Sequence, residues 1–244
     1  MAFFVFILGI VIGSFLNVII DRIPRGEKIT GRSHCESCSK TLKWFDLVPV
    51  FSFLLTQGKC RYCHSPLSYQ YPIVEILTGV LFLYSFLIFP ILLLPFYLFF
   101  ILIFIVIFFI DLKYGIIPDK IIFPALPIAV IYILLSNQNL LVHILSGILS
   151  FSFFYALYLF TRRKGMGFGD VKFALLLGLV LGFPGTIIAL YVAFLTGAAV
   201  GSILILWKKK KMKSEVPFGP FLVLGCIVTI FFSDQIINLA EKIL

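Results

Sequence analysis

Hydrophobic residues in this chain form long runs that are separated by short polar segments. Residues 91–110, ILLLPFYLFFILIFIVIFFI, contain no charged residue, and about 20 apolar residues suffice to cross a bilayer as a helix. No run alternates polar and apolar residues with period two, as the strands of a membrane β-barrel would. The pattern therefore predicts an all-α polytopic membrane protein with about eight transmembrane helices. The predicted spans are residues 2–20, 72–89, 91–110, 120–136, 140–160, 171–184, 186–207 and 217–234.

Composition supports this class of protein. The chain is 61% hydrophobic and 13% charged, whereas an ordinary soluble domain is nearer half apolar and a quarter charged. The first run has no Lys or Arg before it and no Ala-x-Ala cleavage pattern, so we expect a retained helix rather than a signal peptide.

The net charge of +9 could indicate a nucleic-acid-binding protein, but its distribution argues otherwise. All Lys and Arg residues except Lys242 lie in four segments, 21–71, 111–120, 161–172 and 208–213. An eight-span topology puts these segments on one side, which the positive-inside rule assigns to the cytoplasm. We therefore expect contacts with anionic membrane lipid and no nucleic-acid partner.

Glycines four residues apart occur in three predicted helices, at Gly9/Gly13, Gly178/Gly182 and Gly197/Gly201. Small residues at this spacing allow two helix backbones to approach closely in lipid. We expect each pair to mark a tight helix contact.

The long polar segment contains two C-x-x-C pairs, Cys35/Cys38 and Cys60/Cys63. Two such pairs are typical of a structural zinc site with four thiolates, which leaves no open position for catalysis. Disulfides are not expected on the reducing side of the membrane. The alternative to a zinc site is a redox pair or a set of unrelated thiols. Between the pairs lies an apolar island, residues 45–55, which is either a membrane-surface element or the small core of the zinc loop.

Two acidic residues occupy unusual positions. Asp111 directly follows the run 91–110, and Asp170 opens a later run, so both are expected at the same membrane boundary on different helices. Two carboxyls that meet there would share a proton, which allows one to activate water and the other to polarise a peptide carbonyl. Alternatively, Asp170 caps a helix and Asp111 forms an ion pair with Lys113, Lys172 or an Arg. Asp119 is a rival to Asp111, although capping is its expected role.

Asp170 belongs to the stretch GMGFGDVK, residues 165–172. Glycine at positions 165, 167 and 169 leaves room for the backbone of an extended substrate to pass close to the acid. Gly167 and Gly169 are therefore predicted substrate-binding residues.

Together these motifs resemble the bacterial type IV prepilin peptidase family, also called prepilin leader peptidases, with some similarity to its Gram-positive competence-type members. The resemblance rests on five stretches in register, namely GSFLNVIIDRIP at 13–24, the C-x-x-C pairs at 35–63, YPIVEILTG at 71–79, DLKYGIIPD at 111–119 and GMGFGDVK. One departure is Gln70, where the family often has an Arg before its Tyr-Pro motif.

This resemblance implies an aspartic endopeptidase of the bacterial inner (cytoplasmic) membrane. Its site would face the cytoplasm and remove the basic leader of type IV pilin-like precursors, with Asp111 and Asp170 as the catalytic aspartates. Many family members also methylate the new N-terminus with S-adenosylmethionine, and this chain is a candidate for that second activity.

Three polar residues of the remaining motifs are candidate substrate contacts. Glu75 could bind the basic leader or the amine, or else pair with a loop Arg. Asn17 and Arg22 could face substrate, or serve as a helix-packing amide and an interfacial anchor.

The predicted organisation is a first transmembrane helix at 1–20, a cytoplasmic zinc-binding loop at 21–71 and a helical bundle with the aspartyl pair at 72–244. Two other functions fit the same chain. One is a membrane methyltransferase without protease activity, and the other is a non-enzymatic scaffold that docks partners through its zinc loop.

Overall fold

A computed structural model of the chain describes residues 1–162, 166–206 and 217–243. Within these ranges the regular elements are helices, accompanied only by two isolated β-bridges. The all-α prediction is thus confirmed for the described residues. Gly165 and the basic run 208–213 lie outside them.

The helices are α1 (Ala2–Arg22), α2 (Phe51–Leu55), α3 (Gln70–Ile88), α4 (Leu94–Tyr114), α5 (Asp119–Leu135), α6 (Leu140–Phe160), α7 (Phe168–Leu206) and α8 (Gly219–Ile243), with a 3₁₀ turn at Trp44–Leu47. Among the described residues, five helices are long and apolar enough to cross a membrane: α1, α3, α4, α6 and Phe168–Leu204 of α7. A shorter apolar helix covers Gly219–Ser233. The protein is therefore a multi-pass membrane protein.

The chain divides into two compact units, Met1–Val106 and Ile107–Leu244. In the first unit α1 packs on α3. A Cβ added at Gly9 would lie 2.8 Å from the Cα of Gly79, so the two backbones are nearly in contact. The predicted close approach at this glycine pair is confirmed.

In the second unit α7 packs against α5, α6 and α8. A Cβ at Gly178 would lie 2.5 Å from the carbonyl oxygen of Ser146 and 2.6 Å from the Cα of Gly147, which again brings two backbones together. The prediction is wrong at Gly201, because a Cβ there would meet no described atom within 4 Å.

A sharp break divides α7 at Gly182 and Phe183. Gly182 adopts φ 62°, a left-handed conformation that glycine tolerates, and Phe183 is extended. His143 of α6 lies beside this break, and its Nδ1 is 2.8 Å from the carbonyl oxygen of Leu179. The sequence predicted two helices here, and the break between them lies a few residues earlier than expected.

Candidate functional site

Asp111 lies in the last turn of α4 and is buried. Its Oδ2 accepts a hydrogen bond from the backbone N–H of Gly219, the first residue of α8, at 2.9 Å. Free N–H groups and the helix dipole make a helix N-terminus favourable for a carboxylate. A Cβ at position 219 would come within 2.5 Å of the same oxygen, so glycine is the residue that fits there.

Asp170 is the third residue of α7 and is also buried. Its Oδ2 accepts a hydrogen bond from the backbone N–H of Gly167 at 3.2 Å, which satisfies one of the free donors at the start of this helix. Its Oδ1 is buried and receives no hydrogen bond from any described residue. The side chain thus caps its helix with one oxygen and keeps the other available.

The two carboxyl groups belong to the same unit, and they are close enough for an electrostatic interaction between them. Two buried acids at this proximity cannot both ionise readily, and such an arrangement is suited to sharing one proton. The structure thereby brings together Asp111 and Asp170, which are 59 positions apart in the chain.

Asp119, the predicted rival of Asp111, has a different partner. The ammonium of Lys172 lies 2.7 Å from one oxygen of the Asp119 carboxylate and 2.8 Å from the other. The alternative in which Lys172 neutralises Asp111 is therefore wrong. Asp119 begins α5, and its carboxylate ties that helix to Lys172, the fifth residue of α7.

The glycines beside Asp170 contact the chain itself. A Cβ at Gly169 would lie 2.9 Å from the Cβ of Ile117, so this glycine allows the start of α7 to pack against the segment between α4 and α5. A Cβ at Gly167 would lie 3.5 Å from Oδ2 of Asp170, an ordinary contact distance. Their predicted role in substrate binding stays a prediction.

In the Met1–Val106 unit, Glu75 is buried in α3, and its Oε2 accepts the backbone N–H of Val50 at 2.8 Å. Asn17 of α1 donates to the carbonyl oxygen of Tyr71 at 3.2 Å and accepts from the Gln70 side chain at 3.4 Å. These bonds join α1 and the apolar island to the start of α3. They favour the packing interpretation of Asn17, and substrate binding by either side chain stays a prediction.

Arg22, the last residue of α1, organises the loop that follows it. Its guanidinium donates to the carbonyl oxygens of Lys28, Ile29 and Arg32, each at 3.2 Å. The guanidinium thus fixes the loop against the end of α1, and both substrate contact and interfacial anchoring by Arg22 stay predictions.

The four cysteines of the C-x-x-C pairs form one cluster in which all Sγ atoms lie within 4.8 Å of one another. The Sγ atoms of Cys35 and Cys63 are 3.9 Å apart. A tetrahedral zinc ion with Zn–S bonds of about 2.3 Å requires S···S distances of about 3.8 Å. The size of the cluster therefore suits a tetrahedral metal ion.

The same local turn builds both halves of this cluster. Ser39 donates its N–H to the carbonyl of Cys35, and His64 donates to that of Cys60, both at 2.9 Å. Ser39 and His64 also share a left-handed conformation, with φ of 55° and 58°. This repeated geometry directs the two sulfurs of each pair toward a common point.

The cluster favours ionised sulfur at Cys35 but not at Cys38. The Lys40 backbone favours the Cys38 thiolate, but burial and the Cys63 and Cys35 thiols outweigh it and raise the Cys38 pKa to about 11. Burial opposes ionisation of the Cys35 thiol, but hydrogen bonds from the Cys38 and Ser37 backbone, with those from the Cys60 and Ser65 side chains, lower its pKa to about 6. Because thiolates are the metal-binding form of cysteine, this environment suits a bound cation.

Comparisons with known proteins bear on both regions. The bacterial peptidase A24 N-terminal domain matches residues 7–89, and the type IV leader peptidase family matches residues 98–202. A protein of Legionella pneumophila named prepilin leader peptidase/N-methyltransferase is 33% identical over 95% of this chain and 91% of its own length. The chain belongs to the type IV leader peptidase family.

Two further relatives carry the same name. The protein of Bacillus subtilis is 31% identical over 97% of this chain and 96% of its own length. The protein of Xanthomonas campestris is 30% identical over 95% of this chain and 91% of its own length. No solved structure matches the chain. The predicted family is confirmed, while the competence-type subgroup stays a prediction.

Sequence reasoning about this leader peptidase family member missed Gly219. Its surroundings, VPFGPFLVL, carry one usable signal, because Pro220 is typical of the first turn of a helix. The predicted span 217–234 indeed places the start of α8 within two residues of Gly219. The contact of Gly219 with Asp111 could not be predicted, because 108 positions separate the two residues.

Proposed function

We propose that the chain is a membrane aspartic endopeptidase that removes the basic leader from type IV pilin-like precursors. The observation that carries this proposal is the buried pair formed by Asp111 and Asp170, in which one buried carboxyl oxygen has no hydrogen bond from a described residue. Family membership and the names of the relatives support the same activity.

In this mechanism Asp111 is the carboxylate, because the N-terminus of α8 stabilises its negative charge. Asp170 carries the proton on Oδ1. Asp111 removes a proton from water as the water oxygen attacks the scissile carbonyl carbon, and Asp170 protonates the carbonyl oxygen. Collapse of the tetrahedral intermediate breaks the C–N bond, returns a proton to Asp170 and passes the proton on Asp111 to the leaving amine.

The proposed location is the bacterial inner (cytoplasmic) membrane, with eight spans and the site at the cytoplasmic boundary. The kink in α7 supports two spans within that helix, and α5 and α8 would complete the set. The segments rich in Lys and Arg then share the cytoplasmic side with both aspartates. We expect contacts with anionic lipid and none with nucleic acid.

A zinc ion held by Cys35, Cys38, Cys60 and Cys63 would have a structural role, since four thiolates saturate its coordination. It would stabilise a loop whose own core is small. We also propose that the chain methylates the new N-terminal amine, as the names of its relatives indicate for those proteins. S-adenosylmethionine would supply the methyl group, and we assign no residue to it.

The test is cleavage of a pilin-like precursor by the purified protein and by Asp111→Asn, Asp170→Asn and Asp119→Asn. General acid–base catalysis contributes about 10²–10⁴-fold, so the first two variants should lose activity to that extent and remain folded. Asp119→Asn is the matched control. Its amide oxygen can still accept from Lys172, so it should retain most of the activity. A wild-type protein that cleaves nothing would support a scaffold, and methylation without cleavage would support a methyltransferase.

A further inference from the structure

The apolar island, residues 45–55, has a defined conformation that the protease function does not use. The 3₁₀ turn Trp44–Leu47 leads into it, and α2, Phe51–Leu55, ends it. Neither element contributes a buried residue. The sequence left two possibilities for the island, the core of the zinc loop or a membrane-surface element.

Exposure decides between these possibilities. Trp44 and Leu55 are about 80% exposed, and Phe51 and Leu54 about 65%. A module core would bury these side chains. An exposed group of one Trp, one Phe and two Leu is instead typical of segments that lie in the boundary between lipid headgroups and acyl chains.

The hydrogen bond between Val50 and Glu75 holds the island at the membrane level where two predicted spans, α1 and α3, have their ends. Glu75 lies five residues into α3, which corresponds to about 7.5 Å along the helix. Gly13 of α1 lies against the Glu75 backbone, nine residues or about 13 Å before α1 ends. The ring of Phe53 also contacts Tyr69 at the entrance of α3, with centroids 5.5 Å apart. The island therefore lies beside the ends of these spans and not out in the aqueous phase.

The backbone of the island is adapted to that environment. Val50 adopts φ 62° and ψ −52°, which is unusual for a β-branched residue, and this turn leaves its N–H without a helical partner. In an apolar region an unsatisfied N–H is costly, and the buried Glu75 carboxylate accepts it. Glu75 thus fixes the turn at its depth.

Basic side chains border the island. Lys43 and Arg61 lie over the Phe45 ring, at 5.7 Å and 4.9 Å from its centroid, and Lys40 lies over Tyr62. Asp46, the acid within the island, forms an ion pair with Arg61 at 2.8 Å, so these three bases outnumber it. The border therefore has a net positive charge, which complements anionic headgroups.

From these observations we infer that the apolar island and the adjoining Trp44 form an interfacial membrane anchor. It inserts Trp44, Phe51, Leu54 and Leu55 into the boundary of an anionic bilayer. It fixes the four-cysteine loop against the same membrane that the helices span. This inference does not depend on the protease reaction.

The chain has two tryptophans, so Trp207→Phe leaves Trp44 as the sole indole. The full-length variant is reconstituted in phosphatidylcholine/phosphatidylglycerol vesicles whose acyl chains are either brominated or unmodified. We expect blue-shifted Trp44 emission that brominated chains largely quench. Emission typical of water would overturn the inference, as would blue-shifted but unquenched emission, which indicates cover by protein.

Glu75→Leu and Glu75→Gln in the same background test the role of the carboxylate. Leucine removes the acceptor for Val50, and quenching of Trp44 should fall, whereas glutamine keeps an acceptor oxygen and should preserve it. Equal quenching in both variants would show that Glu75 does not set the depth. If Glu75→Leu does not fold, the quenching of Trp44 in the Trp207→Phe protein, which retains Glu75, still decides whether the island is inserted.

Discussion

Replacement of Gly219 by alanine is a direct test of how α8 positions Asp111. The new Cβ would lie 2.5 Å from Oδ2, 3.0 Å from Cγ and 3.3 Å from Cβ of Asp111. An ordinary contact is about 3.4 Å or more, so the carboxylate must move by about 0.9 Å. The atom that has to move is the tip of a side chain, and rotation of that side chain costs only about 0.5–1.5 kcal/mol. We therefore expect Gly219→Ala to fold with little loss of stability.

Catalysis should respond much more strongly than stability. A misplacement of about 1 Å in a catalytic group can reduce the rate about 10²-fold, equivalent to about 2.7 kcal/mol in activation free energy. The assay is steady-state cleavage of a pilin-like precursor in detergent, with kcat and KM determined separately. We expect kcat to fall to this extent while KM stays nearly constant, because the change affects the reacting groups and not leader binding.

Gly201→Ala is the matched control, since a Cβ at that position meets no described atom within 4 Å. It should cleave at the wild-type rate. If Gly219→Ala also cleaves at that rate with an unchanged unfolding temperature, α8 does not position Asp111. A variant of Gly219 that is inactive because it unfolds would likewise contradict the argument.

Three further predictions concern the fold. Cys35→Ser should lose bound zinc, measured by metal analysis of the purified protein, whereas the buried Cys226→Ser should retain it; full retention in both would count against the four-thiolate site. Gly178→Ala should destabilise the protein by about 1–3 kcal/mol, because its Cβ would press on the α6 backbone, and an unchanged midpoint in denaturant would contradict the close packing. His143→Phe should cost about 1 kcal/mol in the same assay, because it leaves the Leu179 carbonyl without its partner; equal stability would show that this hydrogen bond adds nothing.

The apolar runs were sufficient to predict most helices, because a membrane requires each spanning segment to satisfy its backbone locally. The C-x-x-C pairs likewise predicted a cluster of thiols, since ligand spacing is a local property of the chain. Glycine pairs were less reliable. Gly178 contacts a backbone and Gly201 contacts none, and only the neighbouring helix distinguishes them.

The sequence by itself determined the class of protein, the family and the two aspartates that could meet at one membrane boundary. The tertiary structure decided which groups surround them: Gly219 for Asp111, Gly167 for Asp170, and Lys172 for Asp119 instead of Asp111. The physical reason is that hydropathy and ligand spacing act over a few neighbouring residues, where a sequence records them directly. A hydrogen bond between residues 108 positions apart depends on how whole helices pack, and no local pattern encodes it.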